Sequence, residues 1–373
     1  MGKLQNRIDA CSDSMVIRSL SLQNYRNYQS LQVDFNSGLN FVFGKNGQGK
    51  TNLIESLYFA THLKSFRTHR LEVLPCYETE EAVIRATILK QSVTNNVAIS
   101  LIKDRKKVFL NDKSLAFTSE YIRNFFSILF APDLLSAFKE YPLERRTFFD
   151  RILFLTDTGY FQAYREFNRI RKQKSVVLKH HNQKELDVWN RMLADIIPQI
   201  NQARFDLITD INGLLTDYYQ KLTGRKEDLK LCYRNDFSDK IPNNQEAIFE
   251  YLTSKKEMEI AKGYVIYGPH KDQYWMTREG KADRYTFSQG EYRISFLALQ
   301  LTVNHIIKQK LDFHPILLLD DIFSELDEGV CARTIEHIFE NSNQVFITST
   351  VIPEVFLKLG KSYQIETGKI INK

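Results

Sequence analysis

Four residues in one short stretch have the types and spacing for phosphate chemistry. Gly44, Gly49, Lys50 and Thr51 stand as G-x-x-x-x-G-K-[ST] within Gly44-Lys45-Asn46-Gly47-Gln48-Gly49-Lys50-Thr51-Asn52. Glycines let a backbone turn so that its N–H groups face a phosphate, and the helix that follows adds its positive end. In such a loop the lysine reaches the β- and γ-phosphates and the hydroxyl ligates Mg²⁺. The bland alternative is an ordinary strand-to-helix turn. A chance match somewhere in a chain this long is on the order of one in a hundred at average composition. The stretch therefore reads as a site for ATP and Mg²⁺.

Two further groups would complete that chemistry. Ile316-Leu317-Leu318-Leu319 runs into Asp320-Asp321. A carboxylate at the end of a buried strand holds Mg²⁺, directly or through water, and its neighbour orients or deprotonates an attacking water. The expected metal ligands are Thr51 and Asp320, and the expected catalytic set is Lys50, Asp320 and Asp321. Alone, the run is equally a parallel strand ending in a solvated acidic turn. After a glycine loop and before Ser324-Glu325-Leu326-Asp327 it carries more weight. Ser288-Gln289-Gly290-Glu291 reads first as a helix capping box. Gly290 also leaves the helix N-terminus open to an anion. In a head-to-tail pair this helix would cover the other subunit's γ-phosphate, the logic of ABC-type ATPases with their Leu-Ser-Gly-Gly-Gln signature.

Positioning these groups takes a strand before the loop and a helix after it. Leu39, Phe41 and Phe43 supply the one; Leu53, Ile54, Leu57 and Phe59 supply the other. Upstream, residues 16–23 and 31–35 alternate as strands around Asn24-Tyr25-Arg26-Asn27-Tyr28. Residues 83–89, 97–103 and 106–110 continue as a meander, with Asn111-Asp112 as a tight turn. Residues 125–130 form another strand. Beyond Pro132 the spacing becomes helical. Leu186, Trp189, Leu193, Ile196, Ile200, Ala203, Leu207, Ile211, Leu214 and Tyr218 recur at steps of three and four, a coiled-coil-like seam with Pro198 as a kink. Strand character is expected again over 262–268, and a hairpin framed by 274–276 and 284–287. The fold class is α/β, an ABC-type P-loop ATPase head with an inserted helical lobe. Residues 15–130 and 261–373 are assigned to the head and 131–260 to the lobe. Residues 1–14 read as an N-terminal extension, either a disordered tail or a product of an upstream start codon.

The 373 residues are 43% hydrophobic and 26% charged, enough for a buried core and unlike a disordered chain. The net charge of +6 permits a nucleic-acid partner without demanding one. Four cysteines, Cys11, Cys76, Cys232 and Cys331, make no C-x-x-C pair, as expected of reduced thiols in the cytoplasm. No apolar run reaches the roughly 18 residues of a membrane span. Arg165, Arg169, Arg171, Lys172, Lys174 and Lys179 form a basic stripe opposed only by Glu166, and Lys103, Arg105, Lys106 and Lys107 form a smaller cluster. One-sided charge suits the phosphates of double-stranded DNA; a solvated face and a protected strand edge are the alternatives. His180-His181 has no partners at metal-ligand spacing and reads as surface.

Together the motifs resemble the RecF family of the ABC/SMC ATPase group, over almost all of the chain from Met15. The resemblance rests on 24–28, on the glycine loop, and on Ser65-Phe66-Arg67-Thr68. It also rests on Leu143-Glu144-Arg145-Arg146 with Phe149-Asp150, and on Gly268-Pro269-His270-Lys271-Asp272. Ser288-Gln289-Gly290 with Arg293, and 317–321 through Asp327, complete it. It implies that Gly44 through Asn52 and Arg67 bind the nucleotide, and that Ser288, Gln289 and Gly290 contact the partner's ATP. Ser324, Glu325, Leu326 and Asp327 would be the D-loop, and Thr350 would hold the switch position. The resemblance further implies an ATP-dependent homodimer, binding to double-stranded DNA and single-strand/double-strand junctions, and a weak DNA-stimulated ATPase. Its role would be recombinational repair and replication restart, acting with RecO and RecR to place RecA at gaps. The chain departs from the pattern at Pro132-Asp133-Leu134, where Pro-Glu-Asp-Leu is usual, and at Glu291, where Gln is common. Thr350 in place of a histidine suits slow turnover. The rivals are an SMC-like chromosome-organising ATPase, an ABC transporter's ATPase subunit and a small-molecule P-loop kinase. The helical seam is too short for the first, the basic lobe does not suit the second, and the third has no use for the Ser-Gln-Gly and tandem-Asp motifs.

Overall fold

The computed structural model describes residues 15–115, 118–180, 183–323, 326–341, 344–350 and 359–371. The proposed extension at 1–14 lies outside them. The chain divides into two units. The first takes the chain as far as Ser136, Lys221–Arg225, and everything from Gln289; the second takes Ala137–Gln220 and Lys226–Ser288.

The first unit holds two sheets. Strands β1 (Met15–Tyr25) and β2 (Tyr28–Asp34) form a hairpin, followed by β3 (Leu39–Phe43) and helix α1 (Lys50–His62). Next come β4 (Glu81–Lys90), β5 (Val93–Ile102), β6 (Arg105–Leu110) and β7 (Lys113–Ser114). Alternation places Ala82, Ile84, Ala86 and Ile88 of β4 inside, as one buried face requires. The order is β2-β1-β4-β5-β6-β7, all antiparallel. Asn111 and Asp112 have φ of 49° and 63°, the mirror-image turn expected there. After α2 (Thr118–Asn124) and β8 (Ser127–Phe130) the chain enters α3 (Pro132–Glu140).

The second unit is mainly helical: α4 (Pro142–Thr156), α5 (Thr158–Lys179), α6 (Gln183–Thr223), α7 (Gln245–Ser254) and α8 (Lys256–Lys262). Of the seam, Leu186, Leu193, Ile200, Leu207, Ile211 and Tyr218 are buried and Trp189, Ile196, Ala203 and Leu214 are half-buried, and α6 runs through Pro198. The unit also contains a sheet of β9 (Leu229–Arg234), β10 (Gln273–Arg278) and β11 (Lys281–Ala282), in order β11-β10-β9, then the short α9 (Asp283–Thr286). Three expectations are corrected here. Residues 262–268 form no strand, because α8 runs to Lys262, and Glu259 and Asp236 carboxylates accept from Ile266 N and Gly268 N. Residues 284–287 lie in and after a helix, and the hairpin is β10–β11. The second boundary falls at Ser288 rather than 260, because Asp272 and β10 pack within the helical unit.

Back in the first unit, α10 (Gln289–Leu311), β12 (Ile316–Leu319), α11 (Glu328–Asn341), β13 (Val345–Ser349), β14 (Lys361–Glu366) and β15 (Lys369–Ile371) complete the chain. The second sheet runs β15-β14-β3-β13-β12-β8, parallel except for the edge strand β15. Every residue of β12 and β13 is buried, as for strands covered on both faces. Gln344 ties the sheets together: its Oε1 accepts from Ile17 N at 2.7 Å, and its Nε2 donates to Ile17 O at 2.8 Å.

The helical unit closes on a buried charge network. Arg204 is fully buried; it donates to Asp150 at 2.7 Å, to Pro269 O at 2.7 Å, to the Tyr160 hydroxyl at 3.0 Å, and to Asp272. Tyr233 also donates to Asp272, at 2.7 Å. Burial pushes the Asp272 carboxyl up to about 6, against the pull of Arg204 and Tyr233. Gly268, Pro269 and Asp272 of the Gly268-to-Asp272 motif are thus buried in this unit, while Lys271 is exposed. Breaking such a network leaves uncompensated buried charge, so Arg204→Ala should cost about 3–5 kcal/mol. Chemical denaturation followed by far-UV circular dichroism checks this; a loss under ~1 kcal/mol would show that the network contributes little.

Candidate nucleotide-binding site

Parallel pairing decides where the functional groups meet. In the order β3-β13-β12, Ser349 pairs with Phe43 and Leu319 with Ile347, so the C-terminal ends of three strands lie side by side. Open parallel sheets bind ligands at this edge. Phe43 leads into the glycine loop, Leu319 into Asp320, and Thr348 stands between them.

The loop has the backbone that glycines permit. Gly44, Gly47 and Gly49 have φ of 152°, 78° and 116°, and α1 begins at Lys50. Lys50 Nζ donates to Gly44 O at 2.7 Å and Lys45 O at 3.0 Å. The ammonium is therefore folded back over its own loop, among oxygen acceptors. Burial lowers its pKa, while Asp321 and Asp320 oppose that shift. Thr51 Oγ1 donates to Asp320 Oδ1 at 3.2 Å, and Thr348 Oγ1 donates to the same oxygen at 2.6 Å. Thr348 Oγ1 also accepts from Asp321 N at 2.8 Å. Burial raises the Asp320 pKa, and the two threonine hydrogen bonds oppose it.

The oxygens of Thr51 and Asp320 suit a hard cation such as Mg²⁺, which takes few protein ligands and completes its shell with water and phosphate. Among the described residues no cluster of three or more His, Cys, Asp or Glu could hold a metal alone. Asp321 has φ of 48°, unusual for a non-glycine residue, and Arg293 Nη2 donates to its carbonyl. Arg293 thereby links α10, the helix that opens at Gln289, to the turn after β12.

Other expected residues fall in distinct places. Arg67 donates to Asn52 Oδ1 at 3.0 Å and lies 3.5 Å from Asp133. Ser288 directly precedes α10, and Gln289 and Gly290 begin it. Glu291 faces Arg225 at 3.8 Å, which offsets its charge. Ser324 and Glu325 lie outside the described residues. Asp327 accepts from Val330 N at 2.8 Å, so its carboxylate caps α11. Thr350 is exposed just past β13.

The basic candidates divide. Arg165, Arg169 and Lys172 are exposed, with Arg169 paired to Glu166; Arg171 is half-buried, within 5.9 Å of the Phe167 ring. Lys174 must be withdrawn as a DNA contact: it is buried and bonded to the equally buried Glu259 at 2.5 Å. Lys106 is also partly engaged, donating to Leu63 O, while Lys103 and Arg105 remain exposed beside Glu80 and Asp104.

Sequence reasoning missed Thr348, whose role comes from strand adjacency. It also missed Glu55, fully buried in α1, which receives two hydrogen bonds from Arg26 at 2.8 and 2.7 Å and one from Ser65. Glu55 gives the 24–28 and 65–68 motifs their common anchor.

With this geometry in place, the known proteins it matches are informative. A model described as the RecF/RecN/SMC N-terminal domain matches residues 16–369. The chain belongs to this family. Within it, a DNA replication and repair protein RecF of Clostridioides difficile (strain 630) is 31% identical over 96% of this chain and 98% of its own. That of Geotalea uraniireducens (strain Rf4) is 29% identical over 96% of this chain and all of its own. These place the chain in the RecF branch. A solved recombination mediator protein RecF with ATP, of the RecFOR pathway, aligns with TM-score 0.84 at 24% identity, covering 96% of this chain and 97% of that one. A Pyrococcus furiosus Smc head domain aligns at TM-score 0.59 and 16% identity, with 96% of each chain covered. The ABC/SMC head fold expected from sequence is thus present. Among the described residues no helix is long and apolar enough to cross a membrane.

Thr348→Val removes the partner of Asp321 N and one partner of Asp320. It should cost about 1–3 kcal/mol of stability, the price of an unsatisfied buried group. Denaturant titration in the absence of nucleotide measures this, and an unchanged midpoint would show that Thr348 does not order the strand ends.

Proposed function

We propose that this chain is an ATP-gated, Mg²⁺-dependent DNA clamp of recombinational repair and replication restart. The observation that carries the reading is the convergence of Lys50, Thr51, Asp320 and Thr348 on one edge of a parallel sheet. Lys50 and the loop N–H groups would bind the β- and γ-phosphates. Thr51 and Asp320 would hold Mg²⁺, which neutralises phosphate charge when bound. Asp321 would orient water for a slow hydrolysis. Ser288, Gln289 and Gly290 would contact the γ-phosphate held by a second copy, giving two composite sites related by a two-fold axis. The D-loop, including the Asp327 cap, and Thr350 at the switch position would lie along that interface.

The exposed Arg165, Arg169 and Lys172, with Arg171, Lys103 and Arg105, supply charge for phosphate contacts on double-stranded DNA and at single-strand junctions. Kinship with RecF proteins supports action in the cytoplasm with RecO and RecR in loading RecA. ATP would join the copies because both would touch its γ-phosphate; ADP, lacking that group, would release them.

Sizing the protein with ATP, ADP or no nucleotide checks the clamp. ATP alone should yield the dimer, and Lys50→Ala and Ser288→Arg should each remain monomeric. Mixing those two variants should restore some heterodimer, because one intact composite site remains; normal dimerisation of Ser288→Arg would refute the signature role.

DNA affinity should fall steeply with salt and vary little with base sequence. Replacing Arg165, Arg169 and Lys172 together with alanine should lower the salt slope by roughly 2–3. An unchanged slope in a filter-binding series would move the DNA contact elsewhere.

A further inference from the structure

Gln48 lies in the glycine loop expected to bind the nucleotide, yet its side-chain oxygen and its backbone carbonyl both accept hydrogen bonds from the protein. Thr367 N donates to Gln48 Oε1 at 2.6 Å. Gly368 N donates to Gln48 O at 3.2 Å, and Asn27 Nδ2 donates to the same carbonyl at 2.9 Å. Thr367 and Gly368 form the turn between β14 and β15. The strand leading into that turn lies against the loop: a Cβ on Gly44 would collide with the Ile365 carbonyl oxygen. On the other flank Tyr28 donates to Gly49 O at 2.9 Å, and a Cβ on Gly49 would lie 2.6 Å from Asn27 Nδ2. Asn27 in turn accepts from Asn52 Nδ2 at 2.8 Å.

The turn is also strained. Thr367 has φ of 45° and Gly368 of 72°, the two-residue mirror-image turn of a tight hairpin. Glycine adopts this conformation readily, but a β-branched threonine does so only when its surroundings over-determine it. In this conformation the Thr367 N–H meets Gln48 Oε1. No motif in the sequence marks this turn, which lies 319 residues from Gln48 along the chain.

We propose that the Thr367-Gly368 turn is a latch that fixes the shape of the phosphate-binding loop, with Gln48 as the positioning residue that closes it. The proposal rests on the nucleotide-site reading. A loop ordered in advance spares nucleotide binding the entropy of ordering it. Loss of the latch should therefore raise Kd and KM for ATP and leave kcat nearly unchanged, since bound phosphates restore the loop.

Two substitutions separate this role from direct contact. Gln48→Glu keeps an oxygen for the Thr367 N–H but would repel a phosphate if the side chain faced one. Gln48→Met removes the acceptor and adds no charge. Amide hydrogen exchange across 366–369 in nucleotide-free protein reads the latch directly, and titration with ATP and Mg²⁺ reads its effect. Gln48→Met should speed exchange and raise Kd and KM by about tenfold each, the size of one hydrogen bond. Gln48→Glu should keep exchange across 366–369 within about twofold of the parent. Exchange at the parent rate in Gln48→Met would overturn the latch, as would loss of ATP affinity in Gln48→Glu with affinity retained in Gln48→Met. The exchange measurement needs no nucleotide, so a parent that bound no ATP would refute the nucleotide reading alone.

Discussion

Parallel register between β3, β13 and β12 is the constraint on which the rest depends. Backbone hydrogen bonds between these strands fix three chain segments from distant parts of the sequence at one edge. The two threonines can then share a single oxygen of Asp320. A slip of one residue would turn every side chain of a strand to the opposite face and separate these groups. The apolar run of β12 and the Val345-Phe346-Ile347 start of β13 keep both strands buried, and so hold the carboxylate where two hydroxyls can reach it.

What was legible in the sequence was what is local. The glycine loop declares itself because its turn, its lysine and its helix are consecutive. Asp320 follows an apolar run that fits only a buried strand. Thr348 left no such mark, since its function arises from pairing with β3 and β12. Lys174 was misjudged for the same reason. Its own helix offered no neutralising partner at that position, but Glu259, 85 residues later, meets it in the core. Residues 262–268 have the composition of a strand, yet carboxylates from outside that stretch occupy their backbone donors at Ile266 and Gly268.

The two units keep their charges in different ways. In the first, the ionisable groups of the site stand at the C-terminal edge of a sheet, where Lys50 lies near Asp320 and Asp321, and Asp320 near Thr51 and Thr348. In the second, Arg204, Asp150 and Asp272 are locked inside, and Lys174 and Glu259 form another enclosed pair. Charges so enclosed are already matched, whereas Arg165 and Lys172 of the same unit lie on its surface.

Gln344 joins the two sheets of the first unit through an uncharged amide, with Ile17 donating to it and accepting from it. Ions in solution weaken contacts between charged groups, but they have little purchase on a buried neutral pair. The internal frame of the head is therefore insulated from the ionic conditions to which any contact with a nucleic acid must respond. The spacing between its two sheets stays constant as the medium changes.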